Sequence, residues 1–302
     1  MLPRILVCGE IKFALAELDE MFGGLAEIVQ IISPDRSHFL TSFAPGGPYE
    51  GTIGIYPIGN FDESLVNALA ETSTVRWIAQ NGSGYDQIDV QTCNVRGILV
   101  SNTPFVNADA TAQTTLYLML SCLRHFSMAE RSLRAGTWKS VVSVPDTRHH
   151  RPHACIGLRL AHFAHVFPMR VLYHSRRPVT TPPPWCRYVG SVEALCREAD
   201  VLSGHIPLNA ETIGLIGERE IRALKKGNIL INTARGRIVD EWAMIRALED
   251  GHVSLIAQCV LLPHVGGESA ESEKARELRA LANLHEFVQG RMGTDVVPEL
   301  RS

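Results

Sequence analysis

No apolar run in the 302-residue chain approaches the length of a membrane span. The first one, Ile5 to Val7, is too short for the core of a signal peptide and reads as the opening strand. Neither sign of charge is in excess: the net charge is −3, which gives no reason to expect nucleic acid or an anionic membrane as partner. No Cys-x-x-Cys pair occurs among the seven cysteines, at 8, 93, 122, 155, 186, 196 and 259. Their odd number and scatter argue against a disulfide framework and for reduced thiols, so a cytoplasmic location is expected. What is present is the composition of an ordinary globular protein, 45% hydrophobic and 20% charged, in a chain long enough for two domains with separate cores.

Short Ile/Val-rich segments alternate with helical spacing through the first hundred residues. Strands are expected over Arg4–Cys8, Glu27–Ile32, Thr52–Ile58, Arg76–Ala79 and Gly97–Ser101, with helices at Phe13–Met21 and Glu63–Ala70. This alternation is the pattern of a small parallel sheet. The glycines of Asn81-Gly-Ser-Gly84 follow the fourth strand. They allow either a tight turn or a nest of backbone N–H groups that receives a carboxylate. A single long helix is expected over Ala108–Arg134, and further helices over Leu158–Phe167, Val192–Arg197 and Glu211–Leu224, with strands at Met169–His174 and Val201–His205. The densest stretch is Gly227 to Glu241. Its strand Ile229–Ile231 runs into Asn232-Thr-Ala-Arg-Gly236, and Asp240 is placed to cap the helix Trp242–Leu248. Ligands of α/β sheets bind at the carboxyl ends of strands, which is where Arg235 would stand. Its planar fork suits a carboxylate or a carbonyl, and it reads equally as a surface residue capping a turn.

That block, together with Asn81–Asp89, Asn102-Thr-Pro104, His205-Ile-Pro-Leu208 and Leu262-Pro-His-Val-Gly-Gly267 in this order, resembles the D-isomer-specific 2-hydroxyacid dehydrogenases over about residues 50–290. The resemblance implies an α/β fold of two Rossmann-like or flavodoxin-like domains with parallel sheets, the cofactor domain (104–265) inserted in a substrate domain (1–103 with 266–302). It implies NAD(P)-dependent reduction of a small 2-oxo acid, of glyoxylate or hydroxypyruvate type, by a homodimer joined along the helix that starts at Ala108. Arg235 and His264 would be catalytic, and Gly82, Ser83 and Gly84 would hold the substrate carboxylate. Thr111, Ile206, Pro207, Thr233 and Ala234 would border the cofactor, Ile156 and Gly157 its pyrophosphate, and Ser175, Arg176 and Arg177 its ribose. Two arginines where an NAD enzyme places an acid suit a 2′-phosphate, so NADP is expected, with NAD the alternative; the same pair also reads as a solvated basic turn.

Two departures from the family pattern stand out. Where a strand and Gly-x-Gly-x-x-Gly are expected, the chain reads Thr147-Arg-His-His-Arg-Pro-His-Ala-Cys-Ile-Gly157, with Pro152 and Ala154 at the first two glycine positions and no clear preceding strand. Past Gly251, a shortened connection reaches Pro263-His264 with Gln258 and Cys259 where Leu-Asp would be and no acid in place of the family's glutamate. The sequence therefore also admits a catalytically inactive homologue that binds a small acid, or an incomplete gene model of an active reductase. An active chain without the glutamate is expected to be about tens- to hundreds-fold slower. The histidines at 149, 150, 153, 162 and 165 have no structural-zinc spacing and no accompanying carboxylate, so no metal site is expected.

Overall fold

A computed structural model describes residues 2–31, 36–43, 45–138, 157–167, 169–253 and 260–301. The chain divides into two compact units, residues 1–107 with 269–302 and residues 108–268. Both are α/β with parallel strands, as the alternating pattern requires.

The first unit is built on five parallel strands in the order β2-β1-β3-β4-β5. In sequence order these are β1 (Arg4–Cys8), β2 (Glu27–Ile31), β3 (Thr52–Tyr56), β4 (Trp77–Ala79) and β5 (Leu99–Ser101). The crossovers carry α1 (Leu15–Phe22), α2 (Arg36–Thr41), α3 (Glu63–Thr72) and α4 (Val90–Arg96). The all-apolar strand centres are why the sheet is covered on both sides: Ile5, Leu6, Val7, Ile55, Trp77, Ile78 and Val100 are all buried. The helix formed much later in the chain, Ala270–Val288, returns to this core through Ala280, Leu281 and Leu284. Its buried Glu277 accepts hydrogen bonds from the backbone N–H groups of Lys12, Phe13 and Ala14 at 3.0, 2.8 and 2.9 Å. These residues lead into α1, whose N-cap Ala14 makes no side-chain cap bond, so Glu277 fixes the entry to the helix from across the unit.

The second unit opens with α5 (Ala108–Arg124) and α6 (Phe126–Arg134), followed after a stretch outside the described residues by α7 (Gly157–Val166). Two parallel strand pairs follow: β6 (Val171–Tyr173) with β7 (Cys186–Tyr188), and β8 (Val201–Gly204) with β9 (Ile229–Asn232). Around them lie α8 (Val192–Glu198), α9 (Glu218–Ala223) and α10 (Glu241–Glu249). Period-two alternation splits the side chains of β8 and β9 between two cores. Val201, Ile229 and Ile231 pack with Leu118 and Met119 of α5 and Ala161 and Ala164 of α7. Leu202 and Leu230 pack instead with Cys196, Ile221, Ala243 and Ala247.

The single helix expected over Ala108–Arg134 is two, because His125 takes a left-handed φ of 53° between them. The helix expected from Glu211 begins at Glu218; Thr212 there bonds Asn209 and the Pro207 carbonyl in a turn, and Gly214 has a left-handed φ. Strand β7 and helices α2 and α4 are additions to the sequence reading. The departures at Thr147–Ile156 and at Gln258–Cys259 fall outside the described residues.

Candidate active site

β9 ends at Asn232, whose side chain shapes the loop that follows. Its Nδ2 donates to the Arg235 carbonyl at 2.7 Å, and its Oδ1 accepts from the Ala234 N–H at 3.1 Å. An asparagine that engages the backbone at both ends of its amide fixes a turn locally. Arg235 is half-buried, its Nη1 donates to the Ala234 carbonyl at 3.0 Å, and a 3-10 turn over Gly236–Ile238 then leads to α10. Asp240 caps that helix as its position suggested, accepting from the Ala243 N–H at 2.9 Å.

Thr233 joins a chain of hydrogen bonds across α5, β8 and β9. The Thr115 hydroxyl donates to the Thr111 carbonyl at 2.7 Å, so it accepts from the Thr233 hydroxyl at 3.0 Å. Thr233 then accepts from Nδ1–H of His205 at 3.4 Å, leaving Nε2 of His205 to accept from the Ser203 hydroxyl at 2.7 Å. This assignment requires a neutral imidazole. Burial indeed holds the His205 pKa well below its ordinary value. Thr115, Ser203, His205 and Asn232 were not singled out from the sequence as site residues. His205 was seen only as the first letter of a motif.

One residue before Thr115, the Thr114 hydroxyl donates to the Gly266 carbonyl at 3.0 Å. Gly266 lies two residues beyond His264, so adjacent threonines of α5 hold the loops of both candidate catalytic residues. His264 is exposed and takes a left-handed φ of 61°, with its backbone N–H donating to the Leu262 carbonyl at 2.9 Å. Among the described residues no carboxylate bonds its ring.

In the same unit, His174-Ser-Arg-Arg177 follows β6. The Ser175 hydroxyl donates to the Arg177 carbonyl at 2.6 Å, and Arg176 lies 3.8 Å from Glu211 in a solvent-exposed pair. Ile206 is half-buried against the second core of the unit, and Pro207 is exposed. Ile156 is outside the described residues, and Gly157 is the first residue of α7. Among the described residues there is no cluster of three or more potential metal ligands. His162 and His165 instead pack on Trp185, at ring separations of 5.2 and 4.3 Å.

In the first unit the loop Asn81–Gly84 is fastened to the segment after β5. Thr103 N–H donates to the Gly82 carbonyl at 3.0 Å and Asn102 Nδ2 to the Ser83 carbonyl at 2.8 Å. The Ser83 hydroxyl lies 3.0 Å from both the Thr103 carbonyl and Oδ1 of Asn107. Gly82 and Gly84 are not among the residues with left-handed φ, so the loop lacks the alternation of hands from which a nest is built.

Residues 116–263 match the family model described as D-isomer specific 2-hydroxyacid dehydrogenase, NAD binding domain. Over its whole length the chain is 31% identical to 4-methyl-2-oxopentanoate reductase A of Aspergillus oryzae, covering 99% of that protein. The chain belongs to the D-isomer-specific 2-hydroxyacid dehydrogenase family. That alignment runs over 332 positions against a chain of 302 residues, so the Aspergillus reductase carries residues without a counterpart here. A glyoxylate reductase from Aeropyrum pernix is 33% identical over 76% of this chain and 78% of its own. Among solved structures, a glyoxylate reductase from Paecilomyes thermophila superposes with a TM-score of 0.89 at 30% identity, covering 99% of both chains. An NADPH-dependent glyoxylate/hydroxypyruvate reductase from Sinorhizobium meliloti, in complex with NADP and malonate, gives 0.83 at 26% identity over 99% of this chain and 98% of its own. Dehydrogenases of this family are oxidoreductases that use a nicotinamide cofactor, and the fold is that of their two Rossmann-like domains.

Proposed function

We propose that this chain reduces a small 2-oxo acid of the glyoxylate or hydroxypyruvate type to the D-2-hydroxy acid with NADPH, as a cytoplasmic homodimer. The observation that carries the reading is the pairing of Thr114 with Gly266 and Thr115 with Thr233, which anchors the His264 and Arg235 loops to one turn of α5. Two groups that act on one carbonyl must be held in register, and a shared rigid support serves that need. Residues 1–103 with 266–302 form the substrate domain in this reading, and residues 104–265 the cofactor domain.

Arg235 grips the carboxylate and polarises the 2-oxo group. Gly82, Ser83 and Gly84 also serve the carboxylate, through separate backbone N–H groups and not as a nest. His264 donates the proton that the carbonyl oxygen needs once hydride has reached the carbon. The nicotinamide cofactor supplies that hydride. Thr111, Ile206, Pro207, Thr233 and Ala234 would border the cofactor, and Ile156 and Gly157 would hold its pyrophosphate. Arg176 and Arg177 are exposed beside Ser175 at the end of β6, a donor set that fits a 2′-phosphate better than a free hydroxyl.

A second reading, a homologue that binds a small acid without turning it over, is favoured by one observation: no described carboxylate orients the ring of His264. Titration with NADPH separates the two. The reductase reading expects saturable binding and glyoxylate-dependent oxidation of the bound NADPH, with D-configured product from longer 2-oxo acids. A folded chain that binds neither nicotinamide nucleotide supports the second.

A further inference from the structure

The segment Gly293–Arg301 has no part in the chemistry above, yet it is bonded to the proposed carboxylate-binding loop along two routes. Asp295 fixes its start: Arg279 donates to both carboxylate oxygens, Asn283 Nδ2 donates to Oδ2 at 3.1 Å, and the Asp295 N–H donates to Oδ1 of Asn283 at 3.1 Å. Gly293 passes so close to Trp77 that a Cβ would lie 2.6 Å from the indole ring, which only glycine avoids.

The first route runs through β5. Val296 bridges Ser101 in antiparallel fashion, the Val297 N–H donates to the Val100 carbonyl at 3.0 Å, and the Asn102 N–H donates to the Asp295 carbonyl at 3.2 Å. The segment thus covers the free edge of β5 and fixes Asn102, whose side chain in turn holds the Ser83 carbonyl. The second route is direct. The Tyr85 hydroxyl, immediately after Gly84, donates to the Glu299 carboxylate at 3.1 and 3.2 Å. Partial burial and the Glu299 charge together push the Tyr85 phenol up to about 12, so it remains a donor. Val296, Val297 and Leu300 are buried in the core of the unit, so Glu299 is presented from a fixed support.

We infer that Tyr85 and Glu299 are positioning residues for the substrate carboxylate: the segment Gly293–Arg301 holds the Asn81–Gly84 loop in its binding conformation through their hydrogen bond. This rests on the reading of Gly82–Gly84 as the carboxylate site. The contact lies in the unit that carries the Asn81–Gly84 loop, so its effect is expected on substrate binding.

The test compares the wild type with Tyr85→Phe, Glu299→Ala and Glu299→Gln in the full chain. Tyr85→Phe and Glu299→Ala should each raise KM for glyoxylate about tenfold while kcat and NADPH affinity stay within about twofold. The double variant should be no worse than either single one, because both remove the same bond. Glu299→Gln keeps an acceptor and should restore most of the loss. Amide hydrogen exchange supplies a second readout: peptides spanning 81–85 should exchange faster in both disruptive variants, with the rest of the sheet unchanged. Unchanged exchange at 81–85 overturns the inference whatever the kinetics show. Faster exchange with unchanged KM overturns the link to substrate. A wild type that binds NADPH but never reduces a 2-oxo acid defeats the proposed function instead, and exchange still decides whether the contact holds the loop.

Discussion

Thr115 on α5 and Thr233 after β9 share a hydrogen bond of 3.0 Å between their hydroxyls, and the preceding Thr114 bonds the Gly266 carbonyl at the same distance. Two neighbouring side chains of one helix therefore steady the two loops on which the proposed chemistry depends. Thr115→Val keeps the shape but leaves the Thr233 hydroxyl without its acceptor. The expected outcome is a loss of roughly ten- to a hundredfold in kcat/KM for glyoxylate at little cost in melting temperature. Steady-state kinetics beside a thermal melt would read both; unaltered kinetics would show that the bond does not position Arg235.

His205 ties stability to pH. Burial makes its imidazole hard to charge, so its folded pKa lies well below the ordinary 6.5. Below that value the unfolded chain takes up a proton that the folded chain refuses, which favours unfolding. The contribution of His205 is complete above about pH 6.5 and is lost as pH falls toward its depressed folded pKa. Urea denaturation at about pH 7, 6 and 5 should show stability falling, and His205→Gln should flatten the slope by up to about one proton. An identical slope in the variant would place the titrating group elsewhere.

Much of this was legible in the sequence, and what was not has a physical reason. Strand β1 falls on the expected residues because its buried centre is uninterrupted, and α10 starts where Asp240 permits. Helix α4 carried ordinary signals that a motif reading passed over: Asp89 caps its start, and Gly97 ends it at a left-handed φ of 66°. The break at His125 was invisible, since apolar spacing continues across it and only the backbone turns. Arg235 and His264 could be found from their blocks. The residues that hold them, Asn232, Thr114 and Thr115, are small polar side chains whose roles depend on partners more than a hundred residues away or on loop shape. The Glu277 anchor ahead of α1 and the segment at Tyr85 belong to the same class of long-range contact.

Glu277 offers a test of that long-range contact. Replacing it with alanine leaves the N–H groups of Lys12, Phe13 and Ala14, just ahead of α1, without their acceptor, an expected loss of roughly 2 to 4 kcal/mol. Chemical denaturation measures it directly. NADPH affinity at low temperature should be unaffected, because α1 belongs to the other unit.

Cofactor choice is expected to rest on Arg176 and Arg177. Titrations should find NADPH bound more tightly than NADH by about tenfold or more, and alanine at both positions should erase the difference by weakening NADPH alone. Equal affinities in the wild type would mean that these arginines form a solvated turn.

NADPH oxidation with glyoxylate, compared between the wild type and Arg235→Ala, decides the proposed reductase chemistry. Arg235 is held by Asn232 at the end of β9, where the account places the carboxylate and carbonyl of the substrate. Turnover is expected for the wild type, with D-glycerate formed when hydroxypyruvate replaces glyoxylate, and a loss of at least about a hundredfold in the variant, which still binds NADPH. Glyoxylate reduction that persists unchanged in Arg235→Ala, or a wild type that binds NADPH and never oxidises it, would contradict it.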